Sequence, residues 1–330
     1  MTKVLLFDDG KLPNLALMKL STFYKHQGFQ VVLEHIDNPS GQKADMVLCS
    51  VLFTWNKQKA EKLRKLYSNI VFGGTGWDLS IKLPPEVESC KPDYDLYGVG
   101  HIYPRIKGIM TREARERKAQ EIVYAGIGFT SRGCVRKCGF CVVPRKEGRL
   151  HQDAPIKDLI NPRSNVIILL DNNLTADPDC IEKLKEIKER NLIIDITQGI
   201  DVRLMTPEIA KALSEVNHLR SLHYAWDLMP YEHQVMNGIQ TLSKFVNKHR
   251  HMCFMLVGYN TTFEEDMYRY RRLREIGVDP YVMIYNKRST YQLHHFARWV
   301  NGRFYKKCSF EDYAPWIKAR QEGELLFNYS

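Results

Sequence analysis

The chain has 330 residues, of which 44% are hydrophobic and 26% are charged. This composition is typical of a globular protein and excludes a largely disordered chain. The length is too great for one small hydrophobic core, so it predicts a large α/β domain or a barrel with an added domain. The 48 basic residues outnumber the 38 acidic ones and give a net charge of +10, which favours anionic partners such as RNA.

No stretch of the sequence approaches the roughly 20 apolar residues that a membrane-spanning helix needs. The N-terminal apolar run reaches Asp8 and Asp9 almost at once, unlike a secretory signal peptide. We therefore expect a cytoplasmic protein without a membrane partner, in which cysteines are reduced thiols or metal ligands. Five cysteines have no close cysteine neighbour and are expected to be small buried hydrophobes: Cys49, Cys90, Cys180, Cys253 and Cys308.

Residues 1–100 alternate short apolar runs with amphipathic stretches of helical spacing. This βαβ pattern predicts a Rossmann-like parallel sheet, in which ligands bind at the carboxyl ends of the strands. Those ends carry Asp8, Asp9, Cys49 and Ser50, together with the GGTG loop at residues 73–76. The loop is neither a Walker loop nor GxGxxG, so two interpretations stay open: close approach to a ligand, or a tight turn.

Residues 101–123 are predicted to be a linker, in which TREARERKAQE forms a short solvated helix. From residue 124 to residue 290, strand and helix candidates alternate again. The strand candidates are GIGFTSRG, NVIILLDNN, LIIDITQGID, LRSLHYAWD, HMCFMLVGYN and DPYVMIYN. These six strand–helix units are two fewer than a complete (β/α)8 barrel has, so they predict a partial barrel or an open doubly wound sheet.

Residues 291–330 are predicted to form a C-terminal helical extension. Phe296, Trp299 and Val300 have the spacing of a buried helix face. The segment also mixes basic and aromatic side chains, which in a second interpretation stack on bases and pair with phosphates. These side chains are Arg298, Trp299, Arg303, Phe304, Tyr305 and Lys306.

The segment RGCVRKCGFCVVPR places Cys134, Cys138 and Cys141 within eight residues. A closed zinc site would need a fourth ligand, for which His151 is the nearest candidate. A [4Fe–4S] cluster that only transfers electrons also takes four protein ligands. With three cysteines, one iron stays open to bind a substrate or a cofactor directly.

The CxxxCxxC spacing, with Phe140 directly before the last cysteine, resembles the signature of radical S-adenosylmethionine (SAM) enzymes. The strand pattern of residues 124–290 resembles their (β/α)6 partial barrel. The resemblance implies that Cys134, Cys138 and Cys141 bind a [4Fe–4S] cluster and that SAM chelates its open iron. One electron then cleaves SAM to methionine and a 5′-deoxyadenosyl radical, which abstracts a hydrogen atom from an unidentified substrate. A reducing partner such as flavodoxin or ferredoxin is also implied.

Further cofactor-binding candidates follow from the same resemblance. Phe140 would line the adenine site, and Asp171, Asn172 and Asn173 occupy the place of a motif that contacts the SAM amino group. The other candidates follow the next three strands: Gln198, Asp201, Arg203, Tyr224, Asp227 and Gly258 to Asn260. Each of these side chains can alternatively cap a helix or fill the barrel interior.

Two groups of radical SAM enzymes are similar to this sequence. A βαβ domain ending in IVFGG ahead of the barrel resembles the group with an N-terminal cobalamin-binding domain, which implies cobalamin as a further cofactor and methyl transfer as a reaction. The segment GCVRKCGFCVVP resembles tRNA methylthiotransferases, which implies an RNA substrate. The chain lacks the DxHxxG cobalamin motif, and before the barrel it has Cys49 and Cys90 where methylthiotransferases have three cysteines.

One interpretation lies outside enzymes. The three clustered cysteines can hold a structural metal in a non-catalytic adaptor that binds RNA on its basic surface.

Overall fold

The computed structural model describes residues 2–285 and 289–314. It is a mixed α/β chain with parallel sheets, divided into two compact units. The first unit comprises the described residues up to Asn172 together with Glu189–Asp195, and the second comprises Asn173–Lys188 and the described residues from Ile196 onward. The domain limits and the partial barrel expected from the sequence remain predictions.

The first unit contains most of the strands. They are β1 (Lys3–Asp8), β2 (Gln30–His35), β3 (Met46–Ser50), β4 (Ile70–Gly73), β5 (Gly126–Gly128), β6 (Ser131–Arg132), β7 (His151–Gln152), β8 (Val166–Leu169) and β9 (Ile193–Ile196), whose last residue belongs to the second unit. Its helices are α1 (Leu15–His26), α2 (Lys57–Glu61), α3 (Pro85–Glu88), α4 (Val99–Ile102), α5 (Arg112–Tyr124), α6 (Val143–Lys146) and α7 (Ile156–Leu159).

The N-terminal strands form one parallel sheet in the order β2-β1-β3-β4, so the parallel sheet expected here is present, and the Rossmann-like assignment remains a prediction. Strand β1 lies in the middle and is almost entirely buried. Phe7, Val47 and Phe72 belong to one hydrophobic cluster on this sheet. Helix α1 begins after Asn14, whose side-chain oxygen accepts a hydrogen bond from the Leu17 amide and so caps the helix.

Residues 101–123 are more structured than the linker that the sequence predicts. The helix expected from TREARERKAQE extends to Tyr124, and Ala119, Ile122 and Val123 on it are buried. Upstream, the Arg105 guanidinium donates to the Asp8 carboxylate at 2.7 Å. Arg105 therefore ties the start of this segment to β1, while α5 packs against α4.

The second unit is built from α8 (Cys180–Glu189, whose last residue belongs to the first unit), β10 (Asn217–His218), β11 (Leu222–Ala225), β12 (His251–Val257), β13 (Asp279–Ile284) and the helices α9 (Pro207–Ser214), α10 (Glu232–Ser243), α11 (Phe263–Glu275), α12 (Tyr291–Asn301) and α13 (Phe310–Tyr313). Strands β11, β12 and β13 form a parallel sheet in that order. Phe296, Trp299 and Val300 of α12 are buried, which confirms their core spacing.

The scattered cysteines are only partly as expected. Cys49, Cys180 and Cys253 are buried, but Cys90 and Cys308 are half-buried, so the prediction is wrong for these two. Cys90 follows the short helix α3, and its thiol donates to the Glu86 carbonyl at 3.3 Å. Among the described residues, no helix is long and apolar enough to cross a bilayer.

Candidate functional site

The cysteine loop, residues 133–150, is closed at its base by two short strands. Strands β6 and β7 pair antiparallel, with Ser131 opposite Gln152 and Arg132 opposite His151. Inside this base, the Cys134 amide donates to the Gly148 carbonyl at 3.3 Å. Cys134, Cys138 and Cys141 all lie on this loop and all are half-buried. The first unit therefore presents three partly accessible thiols on one tethered segment.

Gly133 makes the entry to the loop possible. Its φ angle is +82°, in the left-handed region that favours glycine. A Cβ atom there would also collide with the Arg149 carbonyl oxygen. Any other residue at position 133 would be strained and would push the two ends of the loop apart.

Backbone amides shape the loop around the thiols. The Cys141 amide donates to the Cys138 carbonyl at 3.0 Å, which turns the chain between the last two cysteines. The Arg136 amide donates to the Cys134 sulfur at 3.3 Å. Phe140, the predicted adenine contact, is half-buried within this turn.

Asp171, at the carboxyl end of β8, holds the chain that leads into the loop. The residue is fully buried. One carboxylate oxygen accepts from the Thr130 hydroxyl at 2.5 Å and from the Ser131 amide at 2.7 Å, and the other accepts from the Thr130 amide at 2.9 Å. A buried carboxylate needs such donors to replace water. Asp171 thus fixes the two residues immediately before the cysteine segment.

Asn172 anchors one further residue, and we call Asp171 and Asn172 together the clamp. Its side-chain oxygen accepts from the Gly133 amide at 2.9 Å. Asn173 belongs to the second unit and is buried there, where its side-chain oxygen accepts from the Thr175 hydroxyl at 3.2 Å. The predicted SAM-contacting trio therefore divides, since two members hold the cysteine loop and the third packs within the other unit.

Strand β5 supports the clamp because it pairs in parallel with β8, with Ile127 opposite Ile168. Helix α7 lies so close to β5 that a Cβ atom on Gly126 or Gly128 would collide with Leu159. Tyr94 joins the two elements, because its hydroxyl donates to the Leu159 carbonyl at 2.6 Å and accepts from the Ile127 amide at 3.2 Å. Burial raises the pKa of Tyr94 to about 12, so the hydroxyl keeps its proton.

Arg132 ties the base of the loop to the N-terminal residues. Its guanidinium lies 2.8 Å from Glu88 and 3.1 Å from Asp153, and it sits 4.2 Å from the centre of the Phe129 ring. Burial alone would raise the pKa of Glu88, but the hydrogen bond from Lys19 and the charge of Arg132 outweigh it and lower that pKa. The ion pairs thus join α1, α3 and the cysteine loop within the first unit.

The remaining predicted cofactor residues lie in the second unit. Gln198 is exposed in a turn after β9. Arg203 forms a two-point ion pair with Asp201, at 2.6 and 3.0 Å, and lies over the Tyr231 ring. Asp201 also accepts from the Arg203 amide and caps a 3-10 turn, which is the capping alternative expected for such residues.

Tyr224, Asp227 and Gly258 each have a role in the local structure of the second unit. Tyr224 is buried, and its hydroxyl lies 3.2 Å from the His251 ring. Asp227 accepts from the Leu256 amide at 3.0 Å, and burial raises its pKa. Gly258 has a φ of +74° directly after β12. The assignment of these residues to a cofactor remains a prediction.

Among the described side chains, no three histidine, cysteine or acidic groups are placed to hold one metal ion. His151, the fourth zinc ligand considered from the sequence, is exposed on β7, and its ring nitrogen lies 2.9 Å from the Arg149 carbonyl.

Two functional details had no clear signal in the sequence. Tyr94 stands in KPDYDLY, residues 91–97, and nothing in its spacing indicates a contact with β5. The donors to Asp171 come from a Thr-Ser pair that reads as ordinary strand sequence. The DNN run after NVIILL lies beside the cysteine loop, and its first two side chains accept hydrogen bonds from the chain itself.

No protein-family model matches this chain, and no curated protein matches it. Two similar solved structures are SuiB of Streptococcus suis, one bound to the precursor peptide SuiA and one bound to SAM. Both are 13% identical over 64% of this chain, with TM-scores of 0.38 and 0.35. The matches cover 58% and 52% of the SuiB chains, so this chain spans little more than half their length. At these TM-scores, no functional conclusion follows from the likeness.

Proposed function

We propose that this chain is a radical SAM enzyme in which Cys134, Cys138 and Cys141 hold a [4Fe–4S] cluster. The observation that carries the proposal is the CxxxCxxC segment on one half-buried loop, whose base is fixed by strand pairing and by a buried carboxylate. The three thiolates of such a cluster bind three different irons, so the donor set fits a cluster without forming a single-ion site.

When bound, the cluster would supply the electron that cleaves SAM and so starts hydrogen abstraction from the substrate. The chain's part is to hold three thiols in a fixed relation. Gly133 sets the direction of the loop, and the Arg136 amide donates to the Cys134 sulfur. Hydrogen bonds to sulfur are one of the ways in which a protein tunes the potential of a cluster.

Asp171 and Asn172 are assigned to the loop in this proposal. Their oxygens accept hydrogen bonds from the residues that precede Cys134. We assign the SAM-facing role within the loop to Phe140, which is half-buried beside Cys141.

The test is anaerobic reconstitution of the full chain with iron and sulfide. We expect about four irons per chain, an electron paramagnetic resonance signal that changes when SAM is added, and 5′-deoxyadenosine formation with dithionite or a reduced flavodoxin. Replacing Cys134, Cys138 or Cys141 with Ala should abolish 5′-deoxyadenosine formation. Cys180→Ala, at a buried cysteine outside the loop, is the matched control and should retain it.

Two results would contradict the proposal. A loop-cysteine variant with wild-type SAM cleavage would remove the cysteines from the site. Stoichiometric zinc, with no iron signal that responds to SAM, would instead favour the metal-binding adaptor.

The proposal does not extend to cobalamin or to a methylthiotransferase reaction. At the carboxyl edge of the N-terminal sheet, Asp8 accepts from Arg105 and Tyr97, and Asp9 accepts from the amides of Leu52 and Phe53. A Cβ atom on Gly74 or Gly76 would collide with backbone atoms of residues 51–53, so these two glycines serve packing. Desalting after incubation with hydroxocobalamin tests this directly, and we expect no corrin absorbance to remain with the protein.

A further inference from the structure

Two aromatic rings stand exposed beside the carboxyl edge of the N-terminal sheet. Phe53 and Trp55 follow β3, and their rings stack with centroids 4.7 Å apart and planes 18° from parallel. The Trp55 side chain is 67% exposed, a large fraction for a residue type that is highly buried on average. Leu52 beside them is also exposed. We call Phe53 and Trp55 the aromatic pair.

The aromatic pair is held by a rigid support. The buried Asp9 carboxylate accepts from the Leu52 amide at 2.9 Å, from the Phe53 amide at 3.1 Å and from the Asn56 side chain at 3.1 Å. The loop 52–56 is thereby fixed at both ends by one side chain. Rings on a fixed loop lose little conformational entropy when a ligand binds.

The GGTG loop, residues 73–76, packs against the backbone of the loop that carries the aromatic pair. The Gly76 amide donates to the Val51 carbonyl at 2.8 Å. A Cβ atom on Gly76 would lie 2.5 Å from the Phe53 carbonyl carbon. Only a glycine allows the two backbones to approach so closely, and this approach keeps the aromatic pair at the surface.

Basic side chains follow the aromatic pair along the chain, and two of them are ion-paired, Lys59 with Asp37 and Arg64 with Glu61. The segment from 57 to 65 carries Lys57, Lys59, Lys62, Arg64 and Lys65 against the single acid Glu61. Lys57 lies 4.9 Å above the Trp77 ring, and Arg64 lies 4.9 Å above the Phe72 ring, so cations and aromatic faces alternate here. Lys62 and Lys65 are exposed.

We propose that this surface, the aromatic pair with the basic segment 57–65, binds single-stranded nucleic acid. Exposed ring faces offer stacking to unpaired bases, and the cations of the basic segment pair with phosphates. A duplex keeps its bases stacked on one another, so it would meet only the cations. An acidic peptide would also meet the cations, but it has no general need for two exposed ring faces.

The binding experiment uses the full chain and a labelled 12-nucleotide oligouridine, followed by fluorescence anisotropy. Neither cluster nor SAM is needed, so the outcome is independent of the proposed function. We expect binding of oligouridine and of oligothymidine, weaker binding of a duplex of equal length, and weaker binding of polyglutamate. The RNA and DNA arms separate recognition of the 2′-hydroxyl from recognition of bases and phosphates.

Trp55→Ala should weaken oligouridine binding by about 5- to 100-fold, because one stacking contact is lost. Trp55→Phe should restore most of the affinity, since it keeps a ring face. The matched control is Tyr281→Ala, which removes an exposed ring on β13 in the second unit and should leave the affinity unchanged. Quenching of tryptophan fluorescence on binding should become smaller in Trp55→Phe but need not vanish, because Trp77 is half-buried and lies under Lys57 of the same surface.

A double lysine variant tests how much the positive charges contribute to oligouridine binding. Lys62→Ala combined with Lys65→Ala should flatten the slope of log affinity against log salt concentration by about 1.4, if each lysine neutralises one phosphate of a single strand. Circular dichroism and thermal unfolding of every variant check that the fold is kept.

Three results would overturn the proposal. One is the absence of binding at low salt. Another is an affinity for oligouridine that Trp55→Ala leaves unchanged in a folded protein. The third is equal affinity for polyglutamate, which would reduce the surface to a general patch of positive charge.

Discussion

At the scale of single residues, Asp171 links the sheet to the cysteine loop. Asp171→Ala would leave the amides of Thr130 and Ser131 buried without acceptors, so we expect the free energy of unfolding to fall by about 3 kcal/mol. The loop before Cys134 would also lose its anchor. Chemical denaturation and iron content after desalting measure the two effects.

Asp158→Ala is the control for this change. Asp158 pairs with Lys91, whose side chain is 70% exposed, and such a pair contributes less than about 1 kcal/mol. Iron retention should equal the wild type in this variant. If Asp171→Ala also keeps wild-type stability and iron, the carboxylate does not position the loop.

His251 gives the second unit a dependence on pH. Its pKa is lowered from 6.5 to about 4, chiefly by burial, with smaller contributions from the nearby charges of Lys248 and His249. Between these two pKa values the unfolded chain binds a proton that the native chain does not. The free energy of unfolding should therefore fall as pH decreases from 6.5 to 4, by up to about 3 kcal/mol from this residue.

Denaturant unfolding at pH 7.5 and at pH 5 measures this loss. His251→Gln should reduce the difference between the two pH values, because glutamine has no proton to gain. The difference should not vanish, since burial also lowers the pKa of His218. An unchanged difference in His251→Gln would show that other groups cause the pH dependence.

For the cysteine loop and Asp171, the sequence predicted the positions of the residues better than their hydrogen-bond partners. The spacing of Cys134, Cys138 and Cys141 can be read directly, because a cluster loop is local in sequence. The contacts of Asp171 with Thr130 and Ser131 join positions about forty residues apart, which no local pattern records. The direct role of Asp171 in SAM binding stays a prediction, and its buried carboxylate is satisfied by the nearest amides.

At the scale of elements, β5 is built of glycines because α7 packs directly on it. Gly126→Ala would place a methyl group against the Leu159 carbonyl and push α7 away, so we expect a loss of about 2 to 3 kcal/mol in unfolding free energy. Gly100→Ala on α4 is the matched control, since a Cβ atom there meets open space. It should cause no loss and a gain of up to about 1 kcal/mol.

Thermal unfolding of both glycine variants measures the difference. Equal stability of the two would mean that α7 moves away from β5 at little cost. In that case the short helix would not support the clamp on the cysteine loop.

Hydrophobic periodicity predicted the elements well where a segment has one buried face. Helices α8, α9, α10 and α11 lie between the strand candidates of residues 124–290, where the alternation predicts helices. KQKAEKLRKLYS, one of the amphipathic stretches in residues 1–100, forms only the short α2 followed by a 3-10 turn at Lys62–Lys65. Only a few of its residues are buried, so packing does not hold it in a single longer helix.

At the scale of the whole molecule, the chain passes from one compact unit to the other three times, at residues 172–173, 188–189 and 195–196. Strand β9, almost all of which belongs to the first unit, is the neighbour of β8 in the sheet, and the Ile193 amide donates to the Asn165 carbonyl at 2.8 Å. A fragment of residues 1–172 therefore lacks a strand of the first unit, whereas a fragment of residues 1–195 contains every residue of the first unit.

We expect the 1–195 fragment to be monomeric in size-exclusion chromatography and to unfold cooperatively. The 1–172 fragment should aggregate, because loss of β9 exposes an unpaired edge of β8, whose four residues are all buried in the full chain. The comparison also tests the partial barrel predicted for residues 124–290. Both fragments cut that barrel, so if it is the folding unit, neither fragment will fold, and adding residues 173–195 will make no difference.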